Sequence, residues 1–304
     1  MAWRSVVIGN PARLKLKHSA LVVEQDAGTV SIPMEDIAVL VIDHPQVTIT
    51  SQLLSACADH QFAVITVDQT HIPNGILLSY LPHSRALKVM RQQLAMSQPQ
   101  KKRLWQIIIK QKLLNQACLL RHHKQRETAT RLEQLANRVK SGDPDNFEAY
   151  GAQIYFPTLF GDAFTRNDDI VANGVLNYGY SIIRSAVARS LVGYGFLPAF
   201  GLHHCNEQNA FNLADDLMEP YRPIVDRLAL DLCVGVDGEE ELNSSIKAKL
   251  VAVLHQDAPR VEGCVMSGQS TILSLIDATV ISLGQCILNE RCDMVLPGMN
   301  DIPK

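Results

Sequence analysis

A single change of pattern near residue 80 constrains the fold of this 304-residue chain more than any other feature. Before it, the apolar residues come in short β-branched runs: SVVIG, ALVVEQ, IAVLVID and FAVITVD. Gly, Asn, Asp and Pro punctuate them, so they predict strands. SQLLSACADH, at 51–60, predicts a short helix between two of them. After YLPHSRAL, at 80–87, the apolar residues recur at three and four positions. RALKVMRQQLAM, KKRLWQIIIKQKLLNQACLLRHH and TATRLEQLANRVK are the first helices so predicted. SGDPDN, at 141–146, stops one helix, and Asp145 or Asn146 is placed to cap the next, FEAYGAQIYFPTLF. GVLNYGYSIIRSAVARSLVGYG reads as a long, mostly buried helix ending at glycines, with EEELNSSIKAKLVAVLHQ and TILSLIDATVISLGQCILNE following later. The tail VLPGMNDIPK reads as loose. The expected fold class is α+β, with a small β-rich domain at 1–82 and a larger all-α domain at 83–304.

Several classes are disfavoured. No run of about 18 or more apolar residues suggests a membrane span. MAWRSVVIGNPARLKLKHSALVVEQ lacks the unbroken apolar block of a secretory signal. The seven cysteines form no C-x-x-C pair, and most sit in apolar runs. Buried free thiols in a reducing cytoplasm are therefore expected, without disulfides or a zinc ribbon.

Charge is unevenly distributed. The net charge is −3, yet Gln69 to Arg126 contains no Asp or Glu and eleven Lys and Arg. That segment carries +11 and the rest of the chain −14. Helices solvated on one face usually mix signs, because Glu–Lys pairs four apart stabilise them. The asymmetry points to a polyanionic partner, and Arg85, Lys88, Arg91, Lys101, Lys102 and Arg103 open the basic stretch. Trp105 and the His122–His123 pair are able to stack at nucleic-acid ends, though Trp105 reads more simply as core.

GLHHCNEQNAFNLADDLMEPYRP, at 201–223, gathers His203, His204, Cys205, Asp215, Asp216 and Glu219. Read as one helix capped near Asn212, NLADDLMEPYRP puts Asp216 and Glu219 on one face and leaves Arg222 free to pair with Glu219. One histidine with carboxylates suits Mg²⁺ or Mn²⁺ better than a closed zinc site. A capped helix beside a packed histidine, or a zinc site using His203, His204 and Cys205, remains open on spacing alone. Upstream, Glu148 interrupts an apolar helix, where a lone carboxylate needs a partner, either an arginine or a metal.

Three motifs align in order. Glu148, Ala152, Tyr155 and Phe156 fit E-x-x-x-A-x-x-Y-F. NGVLNYGYSIIRSAVARSLVGYGFLPAFGLHH follows an Asn-x-x-Leu-Asn-Tyr-Gly-Tyr helix with a Gly-x-x-Pro turn and a Gly-x-x-His. DLMEPYRP completes the set. Together, over essentially the whole chain, they resemble the CRISPR-associated adaptation integrase, and the start MAWRSVVI resembles the subtype accompanying the single-protein RNA-guided nuclease. The resemblance implies a catalytic Mg²⁺ or Mn²⁺ site of Glu148, His204 and Glu219. Asp216, Asn173, Asn177, Tyr178 and Arg222 would support it. The implied reaction is attack by the 3′-hydroxyl of a short double-stranded DNA on a phosphodiester at a CRISPR repeat edge. The implied partners are double-stranded DNA, a second copy in a homodimer, a small ferredoxin-like adaptation protein bridging two dimers, and the RNA-guided effector nuclease. A non-catalytic DNA-binding protein with a basic helical track is the alternative.

Overall fold

The computed structural model describes residues 4–69, 71–80, 83–166, 168, 171–233, 243–258 and 270–299. Cys264, the first three residues, the start of EEELNSS at 239–242 and the end of the tail at 300–304 lie outside them.

The N-terminal region runs β1 (Arg4–Ile8), β2 (Ala12–Lys17), β3 (Ala20–Gln25), β4 (Gly28–Pro33), β5 (Ile37–Ile42), β6 (Val47–Ile49), α1 (Ser51–Asp59), β7 (Ala63–Val67) and β8 (Pro73–Leu77). The strands form two four-stranded sheets, ordered β1-β5-β7-β8 and β4-β3-β2-β6. In the first, β1, β5 and β7 are parallel and β8 is antiparallel. Ile37 and Leu40 of β5 face a core shared with Leu14, Leu21, Leu53 and Phe62. Val39 and Val41 face the helices instead. Burial on both faces explains why IAVLVI is an unbroken apolar run. The four strands not anticipated from sequence have weaker patterns. In β2, Ala12 and Leu14 alternate with exposed or half-buried cations. In β8, Pro73 and Gly75 suit only an edge.

The remaining elements are α2 (Ala86–Leu94), α3 (Gln98–His122), α4 (Arg126–Arg138), α5 (Phe147–Phe160), α6 (Val171–Gly193), α7 (Asn212–Met218), α8 (Arg222–Cys233), α9 (Ser244–Ala252) and α10 (Ile272–Asn289). A β-sheet region followed by a helical region is thus the observed order. α3 packs on α4, α5 and α8, while α6 packs on α7, α8, α9 and α10.

A buried ion pair joins the two regions. Asp43, just past β5, lies 2.8 Å from Lys247 of α9 and 2.7 Å from His71. Both Asp43 and Lys247 are buried. Breaking such a pair by removing one partner costs about 3–5 kcal/mol, because the other charge stays buried. Asp43→Ala is therefore expected to lose about that much in denaturant unfolding. Adding Lys247→Met should recover part of it, and equal losses in the single and double variants would show that the pair is not what matters.

Several local expectations are corrected. The acid capping α5 is Asp143, whose Oδ1 and Oδ2 accept from Phe147 N at 3.0 Å and Glu148 N at 2.9 Å. Asn146 occupies the left-handed region with no side-chain cap bond. Asn212 does not cap its helix either. Its amide instead donates to the carbonyls of Ala199, Asn206 and Asn209 in the preceding loop. DLMEPYRP is not one helix, since Pro220 helps to turn Glu219–Tyr221 into a 3-10 step between α7 and α8. The tail is docked through Met299. Leu296 and Met299 are buried, and Asn115 bonds Pro297 O at 2.9 Å and Met299 N at 3.1 Å. Finally, α10 is long and apolar enough to cross a membrane by length and composition. Half of that span is buried, and α10 packs on α6.

Candidate active site

The site begins where α5 meets α3. Gly151 permits their close approach, since a Cβ there would lie 2.3 Å from a Leu113 methyl. One turn earlier, Glu148 receives Lys112 of α3, with Nζ 2.9 Å from Oε1. The partner the isolated glutamate needs is thus a lysine. The same Nζ lies 2.5 Å from Oε2 of Glu219. That contact is a buried ion pair between the ammonium and Glu219 Oε2. Oε1 of Glu219 accepts from Arg222 at 2.7 Å. Burial opposes the charge on Glu219, but the Arg222 guanidinium and the Lys112 ammonium outweigh it and hold the carboxyl down at about 2. Burial also opposes the charge on Lys112, and Glu219 and Glu148 raise its pKa above the ordinary value.

His204 comes from the loop after α6. Asp216, fully buried on α7, gathers that loop. Its Oδ2 accepts from Leu202 N at 2.6 Å and His203 N at 3.1 Å. Its Oδ1 accepts from His204 N at 3.1 Å and sits 2.7 Å from His204 Nδ1. Gly201 is required here, because a Cβ would lie 2.4 Å from His204 O and 2.7 Å from Asp216 Oδ2. A carboxylate only accepts, so Nδ1 carries its proton toward Asp216 and Nε2 is left as the free ring nitrogen. The Asp216 hydrogen bond raises the His204 pKa, burial works against it, and the charges of Asp216, Glu219 and Glu148 add to the rise.

The neighbouring histidine is placed differently. His203 stacks flat on Trp105, with ring centroids 4.3 Å apart, and Trp105 is buried in the core. Trp105 also meets His204 edge-on at 5.6 Å. Cys205 is exposed.

His204 and Glu219 line one cleft of about 400 Å³, with Asn177, Tyr180, Ser181, Arg184, Asp215, Met218, Arg222 and Ile72. Ile72 comes from the β region, just before β8, so both parts of the chain form the walls. Glu148 is not in the lining and joins the cleft through Lys112. A second hollow of about 310 Å³, lined by residues including Val89, Phe196, Val280 and Leu288, holds no acid, lysine or arginine.

The α6 residues divide. Arg166 donates to Asn173 at 2.5 Å and Asn177 at 2.7 Å, tying the helix start to the preceding loop. Tyr178 does not line the cleft. It is fully buried on the side of Asp43, whose charge, after burial, raises its pKa. Two residues on, Tyr180 points the other way, as about 200° of helical rotation requires. Its hydroxyl and that of Tyr155 donate to buried Asp226, at 2.9 Å for Tyr155. Burial lifts the Asp226 carboxyl to about 6, against the two tyrosine hydrogen bonds. The Arg222 guanidinium lies 4.3 Å above the Tyr180 ring. Arg184 forks onto Asp215 at 2.6 and 3.0 Å.

Comparison with known proteins decides the family. The family model described as CRISPR associated protein Cas1 matches residues 6–235. The chain belongs to the Cas1 family. It is 44% identical over 255 residues to the CRISPR-associated endonuclease Cas1 of Neisseria meningitidis serogroup C, covering 84% of each chain. Among solved structures, a casposase bound to integration product is similar at TM-score 0.80 and 16% identity, covering 100% of this chain and 96% of that one. A Cas6-RT-Cas1–Cas2 complex is similar at TM-score 0.76 and 20% identity, covering 99% of this chain but 36% of that one. These two likenesses concern the fold.

Within this Cas1 fold, the donors suit a hard divalent ion: two carboxylates and an imidazole nitrogen, with a buried carboxylate oxygen already paired with a cation, the Lys112 ammonium. The fit is one of donor chemistry. Among the described residues, no three His, Cys, Asp or Glu side chains already stand grouped to hold a metal. Lys112, Tyr180, Arg184, Arg166 and Asp226 were not singled out from sequence for this site. Lys112 was counted with the basic stretch, although it follows Ile108 by one helical turn and so lies in an apolar stripe. The other basic positions behave as expected for a surface. Arg85, Lys88, Arg91, Lys102 and Arg103 are exposed, and Lys101 is half-buried.

Proposed function

We propose that this protein is a divalent-metal-dependent DNA integrase and nuclease that inserts short duplexes into a CRISPR array. The observation that carries the reading is the convergence of His204 and Glu219 on one cleft, with Glu148 tied to Glu219 through Lys112. Family membership supports it, as does the endonuclease name of the Neisseria relative. Glu148, His204 and Glu219 would hold Mg²⁺ or Mn²⁺, which when bound supplies Lewis-acid stabilisation of charge on a phosphate oxygen.

The chain's own residues supply position and charge. Asp216 fixes the His204 ring, and Arg222 orients Glu219. Asn173 and Asn177 brace the start of α6 through Arg166. No serine or cysteine nucleophile is needed when a DNA 3′-hydroxyl attacks, so geometry and electrostatics do most of the work. The exposed cations of α2 and early α3 provide a sequence-independent phosphate track. Insertion at two ends needs two sites, so the working form is a homodimer. A small ferredoxin-like adaptation protein would bridge two such dimers, and a structure of similar fold is a complex of Cas1 with Cas2. The RNA-guided effector nuclease would be a further partner.

The test mixes the protein, with and without the small partner, with a duplex bearing free 3′-hydroxyls and a plasmid carrying a repeat. Covalent joining in Mn²⁺ that disappears with chelator is the expected result. Tight, salt-sensitive binding with no joining in any condition would replace the integrase reading with that of a DNA-binding module.

A further inference from the structure

We propose that Lys112 is the built-in counter-ion of this site, and that a divalent ion binds only by displacing its ammonium from Glu148 and Glu219. The inference rests on the metal site proposed above. One Nζ lies 2.9 Å from Glu148 and 2.5 Å from Glu219, so a single cation already spans the two carboxylates. Lys112 is buried, with its side chain 6% exposed, and Glu219 is buried with it. Among the described residues it is the one Lys or Arg of the acid-free stretch that is buried, where a lone lysine would be costly without these acids.

Charge counting sets the consequence. Glu148 and Glu219 contribute two negative charges, and Lys112 and Arg222 contribute two positive ones. Arg222 is tied down, with its guanidinium over Tyr180 and a hydrogen bond to Glu219 Oε1. Lys112 bridges the same acids on a flexible four-carbon stem, so it is the cation able to move. Asp226 adds its charge beside Arg222, but a divalent ion and the ammonium would still compete for the same two carboxylates. If the ammonium withdraws, Glu148 and Glu219 would be free to hold the ion. Lys112 therefore holds the acids together without metal and lowers the site's affinity for it.

The test measures Mn²⁺ binding to the full chain by calorimetry, together with thermal midpoints in chelator and in Mn²⁺. Lys112→Met is expected to melt lower than wild type in chelator, because buried Glu219 and half-buried Glu148 lose their shared cation. It should bind Mn²⁺ at least about tenfold more tightly, equivalent to ~1.4 kcal/mol, and gain more in midpoint from Mn²⁺ than wild type does. Lys112→Arg, which keeps the charge, should bind no more tightly than wild type and serves as the folded control. The combination Lys112→Met with Glu148→Gln should lose the gain. Equal or weaker Mn²⁺ binding by Lys112→Met, with wild-type binding that depends on Glu219, overturns the counter-ion role and leaves the metal site standing. Absence of Mn²⁺ binding in wild type and Lys112→Met alike overturns both.

Discussion

Glu219→Gln is expected to reduce strand joining by roughly 10²–10³-fold or more, with DNA affinity changed by no more than about twofold. The substitution keeps the volume of the side chain and removes its charge. Glu219 is 3% exposed. Its Oε2 pairs with the Lys112 ammonium and is thus placed to serve a cation. The fold should survive, because each neighbouring cation keeps a partner. Lys112 retains Glu148. Arg222 retains the face of Tyr180 and the nearby charge of Asp226. DNA affinity should survive because the exposed cations that would bind phosphates lie elsewhere, on α2 and early α3. Glu219→Asp keeps the charge but shortens the reach by one methylene, so it should retain part of the activity. A gel assay of joined product and a salt-matched binding titration check this, with a thermal midpoint as the control. Wild-type joining by the Gln variant would remove Glu219 from the chemistry. Joint loss of binding and joining would make it a structural residue.

The order of strands and helices was legible because periodicity is a local property. IAVLVI and SQLLSACAD each carry their own pattern, and each forms the element it predicts. Legibility failed where a distant partner decides. The cap of α5 was missed for a backbone reason as well: Asp143 and Asn146 both take left-handed backbones, and it is Asp143, further upstream, whose carboxylate reaches the first N–H groups of the helix. The tail looked loose because its anchors, Asn115 and Ser282, are far from it in sequence. Tyr178 and Tyr180 both stand in the Asn-Tyr-Gly-Tyr motif, and the motif alone does not say which faces the cleft. Lys112 shows the limit most clearly. Its charge placed it among its basic neighbours, whereas its burial depends on two acids 36 and 107 positions away.

Asp216→Asn should damage stability and chemistry together, for separable reasons. Asp216 is fully buried and accepts from the backbone N–H of Leu202, His203 and His204 and from the His204 ring. An amide has one accepting end. Whichever way it turns, its NH₂ faces donor positions, and at least one backbone N–H is left unsatisfied. Each such loss costs about 1–3 kcal/mol, which for a chain of this size lowers the thermal midpoint by roughly 2–5 °C. The chemistry suffers because the carboxylate holds the His204 ring, and losing such a support typically costs about 10–100-fold in metal affinity or activity. The pH profile separates this from simple unfolding. In chelator, the folded protein holds the His204 pKa above its ordinary value of 6.5, chiefly through the Asp216 hydrogen bond. That contribution to stability is complete below about pH 6.5 and disappears as pH rises through the folded pKa. Wild type should therefore lose midpoint across that window, and Asp216→Asn should lose less, because its folded histidine titrates nearer the unfolded value. Parallel slopes in the two proteins would show that Asp216 stabilises the 201–204 loop through its backbone contacts alone. A flattened slope together with weakened Mn²⁺ binding would identify the carboxylate as the group that presents His204 to the cleft.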